Sequence, residues 1–521
     1  MKEEHVTKTR TRRSTKTSLA LAAALAVSIG LSWCFTWFMP PQAQSTSVPT
    51  GENVDAALQP FYSQVLLWSD CGDGLQCATA KAPLDWTAPA DGEIELALVR
   101  HPATGSNRLG SLLVNPGGPG ASGYDFVKDS VDYATDKSLQ AAYDIVGFDP
   151  RGVGRSSAVA CYDASQMDEY LYGIPTAERG SDAWIGELEA SAANFGAACQ
   201  DKTGALLGHV DTVSAAHDLD LLRAILGDDQ LNYLGYSYGT FLGATYAELY
   251  PGKVGRMVLD GAVDPSTSNF EVTRVQAQGF ESALRAYLTD CLAGSSCPFT
   301  ATVDQAMATI ASLLDSVDAN PITGSDGRKL GSSALLTAII YPLYQANAWT
   351  YLSEMLANVM KGEADYAFQF ADAYNGRGSD GTYLDNSTEA FTAINCVDYT
   401  YNDDPASMRE QAAEIEASAP TIGKYMTFGD ISCANWPYTF QGERSEIHAA
   451  GAAPILVVGT TNDPATPYVW AQSLAEQLES GHLVTFEGEG HTAYNKSNSC
   501  VNDAVDNYLL KGVVPADDPM C

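Results

Sequence analysis

The run Gly235-Tyr236-Ser237-Tyr238-Gly239 has the form Gly-x-Ser-x-Gly. In that pattern a sharp turn from a strand into a helix lifts the serine hydroxyl clear of the backbone. Five residues alone are a weak signal, and their setting strengthens it. An apolar, strand-like run at 231–234 leads in and a helix-like run at 241–249 leads out. Ser237 is therefore the candidate nucleophile.

A serine hydroxyl needs a base to attack a carbonyl. His5 lies in a basic leader, His217 sits within a helical pattern, His101 and His482 fall at strand edges, and His209 and His448 fall in polar connections. His491 follows a strand pattern and the loop Glu487-Gly488-Glu489-Gly490, which can present an imidazole at the edge of a sheet. It is the candidate base. The base needs a carboxylate on its second nitrogen to fix the tautomer and stabilise the imidazolium. Asp463, after the apolar run 455–458, is the first choice, and Asp260, ending Val258-Leu259-Asp260, is its competitor. Acyl transfer also needs N–H donors for the developing oxyanion. The amide of Tyr238, next after the nucleophile, is one. The loop Asn115-Pro116-Gly117-Gly118-Pro119-Gly120 should supply the other from Gly118, with Gly117 as the alternative. That loop lacks the lysine that a phosphate-binding loop requires.

These residues need a scaffold. Between 94 and 157, β-rich runs alternate with Gly/Pro turns; a helical pattern at 212–226 precedes the serine motif, and 256–259 reads as a further strand. Strands alternating with helices predict an α/β fold with a mostly parallel central sheet covered on both faces. Residues 266–446 change character to Ala-, Leu- and Glu-bearing stretches at helical spacing, such as FESALRAYLTDCL and SALLTAIIYPLYQA. The strand pattern resumes in APILVVGTTNDPATP and HLVTFEGEGHTAY. The expected organisation is a leader at 1–43, a core at 44–265 and 447–521, and an inserted helical lid at 266–446.

The motifs NPGGPG, FDPRGVGRSS, GYSYGT, MVLDGAVDP and GTTNDPATP, in this order, resemble the secreted tripeptidyl aminopeptidases of actinobacteria, which are related to prolyl aminopeptidases. The resemblance spans 112–491. It implies an α/β-hydrolase fold with a helical lid, Ser237–His491–Asp463 chemistry, and release of short peptides from free N-termini. AINCVDYT and ISCANWPY also resemble the lid of that family. One departure is that Pro116-Gly117-Gly118-Pro119-Gly120 stands where prolyl aminopeptidases carry HGGPG. A preference for proline is therefore not implied.

Lys2, Lys8, Arg10, Arg12, Arg13 and Lys16 precede an apolar run at 19–39, the pattern of an export signal or an uncleaved anchor. Bulky Trp33 before Cys34 argues against a lipid-attachment site. The net charge is −35, and about −39 once the leader is removed, which excludes nucleic acid and anionic headgroups as partners. Anchoring to a membrane is left to the leader alone. Without Cys34 ten cysteines remain: Cys71, Cys77, Cys161, Cys199, Cys291, Cys297, Cys396, Cys433, Cys500 and Cys521. Even parity in an exported chain points to disulfides, for which pairing between sequence neighbours is the favoured pattern. No metal or cofactor motif is recognised, and none is expected to be needed. The expected substrates are peptide or protein N-termini. A carboxylesterase or lipase is the second reading, and a catalytically inactive binding module the third.

Overall fold

The computed structural model describes residues 45–521 apart from 301, 441 and 443. The leader, with Cys34, lies outside the described residues.

The first strands are β1 (Ser45–Thr46), β2 (Leu67–Gly72), β3 (Leu75–Pro83), β4 (Glu93–His101), β5 (Gly110–Asn115), β6 (Tyr143–Phe148), β7 (Leu231–Tyr236) and β8 (Val254–Asp260), the apolar runs of the sequence supplying the central ones. Beyond them come a small ladder, β9 (Ile322–Thr323) with β10 (Lys329–Leu330), and then β11 (Ile455–Asn462) and β12 (Gly481–Glu489). The ten-stranded sheet has the order β1-β2-β3-β4-β6-β5-β7-β8-β11-β12. From β6 to β12 all neighbours are parallel, whereas β1 to β4 form an antiparallel extension whose last strand pairs antiparallel with β6. β5 and β6 are buried at every position, as strands covered on both faces must be. One face packs residues such as Leu219, Leu222 and Leu242, and the other Val127, Tyr494 and Val505. This is the α/β-hydrolase arrangement, with the serine motif on a central strand.

The helix Thr212–Leu226 shows how locally its ends are written. Asp211 caps it by accepting the Ser214 N–H at 2.8 Å, and Gly227 closes it in a left-handed conformation.

Between β8 and β11 the chain runs through helices from Asn269–Ala293 to Pro405–Ser418. They have a core of their own, with Leu284, Ile310, Leu335, Leu352 and Phe368 buried together. The insertion nevertheless belongs to the same compact unit as the sheet. It also gains a partner that the sequence pattern leaves in the core: the 22-residue helix Asp182–Thr203, between β6 and β7, packs Trp184, Ile185 and Ala192 against Met408 and Ile431. The helical layer is therefore built from two insertions.

The stretch FDPRGVGRSS is a structural brace. Arg151, fully buried, donates to both oxygens of Asp218 at 2.7 Å and to the carbonyls of Pro83, Leu84 and His209. Asp149 accepts the N–H groups of Tyr124 and Arg155. Five disulfides join sequence neighbours: Cys71–Cys77, Cys161–Cys199, Cys291–Cys297, Cys396–Cys433 and Cys500–Cys521. Among the described residues no helix is long and apolar enough to cross a membrane.

Candidate active site

Ser237 stands between the end of β7 and the helix Tyr238–Leu249 with φ 55° and ψ −128°, a region that non-glycine residues avoid. The surroundings hold it there. Its N–H donates to the Asp260 carbonyl at 2.9 Å, and its own carbonyl accepts the Thr240 N–H and hydroxyl at 2.8 and 2.6 Å. Tyr238 opens the helix, so its N–H lacks an intrahelical partner and stands at the positive end of the helix dipole.

The Gly-rich loop after β5 passes directly over this turn. A Cβ on Gly117 would stand 2.5 Å from the Tyr236 carbonyl and 2.8 Å from Ser237 Cβ, so only glycine fits. The Gly117 N–H donates to Asn115 Oδ1 at 2.9 Å. With that amide engaged, Gly118 is the better candidate for the second oxyanion donor.

His491 and Asp463 come together from the ends of β12 and β11. His491 Nδ1 lies 2.9 and 3.0 Å from the two oxygens of Asp463. The Asp463 carboxylate, fully buried, also accepts the N–H groups of Ala465, Thr466 and Thr492 at 2.8–3.1 Å. Buried polar oxygens need donors of this kind, since unpaired they would carry a desolvation cost. Thr466, missed in the sequence, adds its hydroxyl to Asp463 Oδ2 at 3.0 Å and lies 3.2 Å from His491 Nδ1. Its signal was the Asp-x-x-Thr spacing in NDPAT.

Asp260, the competing carboxylate, serves elsewhere. It accepts the N–H groups of Ala493 and Tyr494 at 2.8–3.1 Å and so fixes the chain just after His491; burial raises its pKa. Two of the other histidines are engaged structurally: His217 Nδ1 pairs with the Tyr250 hydroxyl, and His448 Nδ1 with the Gln477 carbonyl. Asp398, an acidic residue that could have met a substrate ammonium, is buried and accepts both the N–H and the hydroxyl of Thr212, whose oxygen in turn meets the Tyr238 hydroxyl. It is therefore not available as an ammonium anchor.

The insertion touches both sides of the site. On one side Tyr344 accepts the His491 N–H at 2.9 Å and sets its ring perpendicular to the imidazole at 5.3 Å. On the other, the helix Ser387–Asp398 lies so close to the Gly-rich loop that a Cβ on Gly120 would stand 2.7 Å from the Ser387 carbonyl.

Residues 419–521, which contain Asp463 and His491, match the family model described as TAP-like protein. Over 488 residues the chain is 36% identical to the serine protease Hip1 of Mycobacterium tuberculosis, covering 89% of this chain and 92% of that one. The chain belongs to the TAP-like family of α/β-hydrolases. It is a serine hydrolase by that membership. Within this family it is also 37% identical to carboxylesterase B of Mycobacterium tuberculosis, over 92% of this chain and 94% of that one. It is 30% identical to the tripeptidyl aminopeptidase of Streptomyces coelicolor, over 87% and 85% of the two chains. The TAP-like relatives thus carry both peptidase and esterase names on one scaffold, and fold alone does not choose between them.

Proposed function

We propose that this hydrolase is a secreted serine exopeptidase that releases short peptides, foremost tripeptides, from free N-termini. Ser237 attacks the scissile carbonyl as His491 takes its proton, Asp463 holds the imidazole and stabilises its charged form, and the amides of Gly118 and Tyr238 receive the oxyanion. The observation that carries this reading is the Asp463–His491 contact at 2.9 Å, together with a serine held at φ 55° at the end of β7. Residues 266–446 act as a lid. The contacts of Tyr344 with His491 and of the helix Ser387–Asp398 with the Gly-rich loop support that role, because a roof resting on both sides of a nucleophile limits how much peptide can lie beneath it. Ten disulfide-bonded cysteines and the leader at 1–43 support export to an oxidising compartment. The name of the carboxylesterase relative favours one second reading, an esterase.

The deciding experiment compares aminoacyl, dipeptidyl and tripeptidyl chromogenic amides, their N-acetylated forms and short-chain esters. Free tripeptidyl amides should be cleaved best, and acetylation should cost about a hundredfold or more in kcat/KM, since it removes the charge of the free amino group and lengthens the chain beyond it. Equal cleavage of free and acetylated tripeptides, or a preference for esters over every peptide, would overturn the exopeptidase reading. Ser237→Ala should abolish labelling by a fluorophosphonate probe in either case.

A further inference from the structure

A cavity of about 330 Å³ opens directly against His491, walled by Tyr344 and Asn347 of the insertion and by the chain that follows the histidine. It holds one lysine, Lys496. The ammonium donates to Thr492 Oγ1 and lies over the rings of Tyr133 and Tyr236, 4.4 and 4.9 Å from their centres. Lys81, Lys137, Lys253 and Lys424 each pair with a carboxylate, as lysines readily do in a chain with 64 acidic and 29 basic residues. Lys496 forms no ion pair among the described residues. The charge of buried Asp260 lies near enough to be felt, but its oxygens are taken by Ala493 and Tyr494. Among the described residues, the one carboxylate lining the cavity is Glu489, which accepts from Asn462. Ser497 adds a buried hydroxyl with no partner to the same wall. Two aromatic faces thus hold a cation in place beside the base, with buried Asp260 acting on it from a distance and no carboxylate in direct contact among the described residues.

The position of the base gives that cation a meaning. During acylation the bond from Ser237 Oγ to the acyl carbon forms, the carbon–nitrogen bond breaks, and the departing nitrogen takes its proton from His491. The leaving amine must therefore sit against His491, and this cavity borders that residue. Building on the exopeptidase reading above, we propose that this cavity is the leaving-group subsite and that Lys496 recognises a carboxylate on the residue released. That carboxylate is either the free C-terminus of a one-residue leaving group or an aspartyl or glutamyl side chain.

The test measures kcat/KM for two matched pairs: tetra-alanine against its C-terminal amide, and Ala-Ala-Ala-Asp-amide against Ala-Ala-Ala-Asn-amide. The enzyme should favour the charged member of at least one pair by about fivefold or more, as expected for a partly desolvated charge contact. A preference in the first pair alone names the C-terminal carboxylate as the ligand, and in the second alone the side chain. Lys496→Met should bring the ratio close to one, and Lys496→Arg should keep it. In the unmutated enzyme alanine should inhibit more strongly than alaninamide if the C-terminal carboxylate is the ligand, and aspartic acid α-amide more strongly than asparagine α-amide if the side chain is, comparisons that stand even if the variants fail to fold. A ratio near one in both peptide pairs, a ratio unchanged in Lys496→Met, or equal inhibition within both inhibitor pairs overturns the subsite while leaving the exopeptidase intact. Failure to cleave any of the four peptides overturns both.

Discussion

The main-chain N–H of His491 donates to the carbonyl of Tyr344, 147 residues earlier in the chain, at 2.9 Å. The candidate base thus has two anchors of different origin: Asp463 of the sheet fixes its ring, and the helical insertion fixes its backbone.

The first prediction concerns Tyr344 itself. Tyr344→Ala leaves the carbonyl but removes the ring packed at 5.3 Å on the imidazole, so the histidine gains freedom. The rate of fluorophosphonate labelling and kcat should both fall by about tenfold to a hundredfold, the scale of a small misplacement at a reacting centre. Tyr344→Phe should retain most of the activity. Unchanged labelling in Tyr344→Ala would show that the ring does not position the base.

Asp463 and Asp260 should separate cleanly. Asp463→Asn should lower kcat on the order of 10⁴-fold while the fold persists, because the amide stabilises the wrong tautomer. Asp260→Asn replaces one oxygen that accepts the Ala493 and Tyr494 N–H groups with a second donor. Its main effect should be on stability, about 1–3 kcal/mol in urea unfolding, with a smaller loss of kcat. The reverse ranking of the two kcat values would move the orienting role to Asp260.

A third prediction is a pH effect on stability. Burial and the neighbouring Asp211 raise the pKa of Asp398 to about 7, against the hydrogen bonds from Thr212 and the charge of Arg444, which lower it. In the unfolded chain the group titrates near 3.8, so between about pH 4 and 7 the folded protein holds a proton that the unfolded chain has lost. The stability this contributes is complete below pH 4 and is lost as pH rises through 7, on the order of a few kcal/mol. Asp398→Asn mimics the protonated side chain. Melting curves at pH 4.5 and 7.5 should therefore show the variant gaining on the wild type at the higher pH. A constant difference between the two proteins at both pH values would refute the assignment.

The brace at Arg151 predicts a purely structural loss. Arg151→Ala leaves Asp218 buried without its partner and strands three main-chain carbonyls. Unfolding in urea should show a loss of roughly 3–5 kcal/mol. Fluorophosphonate labelling of the remaining folded fraction should be near normal, and loss of labelling in well-folded protein would place Arg151 in the site instead.

What the sequence determined by itself was local. The Gly-x-Ser-x-Gly turn with its flanking strand and helix, the order Ser, Asp, His, the alternation that makes a parallel sheet, the start and end of the helix Thr212–Leu226, and the even count of cysteines outside the leader are all set by near neighbours, through periodicity, capping and turn chemistry. Tertiary structure decided between carboxylates of similar context. Asp260 and Asp463 both end apolar strands, and only the packing of β8, β11 and β12 turns Asp463 toward the imidazole and Asp260 toward the amides behind it. It also took Asp398 out of reach by burying it on Thr212, and recruited the helix Asp182–Thr203 to the helical layer through contacts more than 200 residues apart. No sequence motif involves Lys496; the fold lays its ammonium over Tyr133 and Tyr236 in a cavity that His491 also lines. Which groups meet across a core depends on the geometry of elements distant in sequence, and no local pattern carries that information.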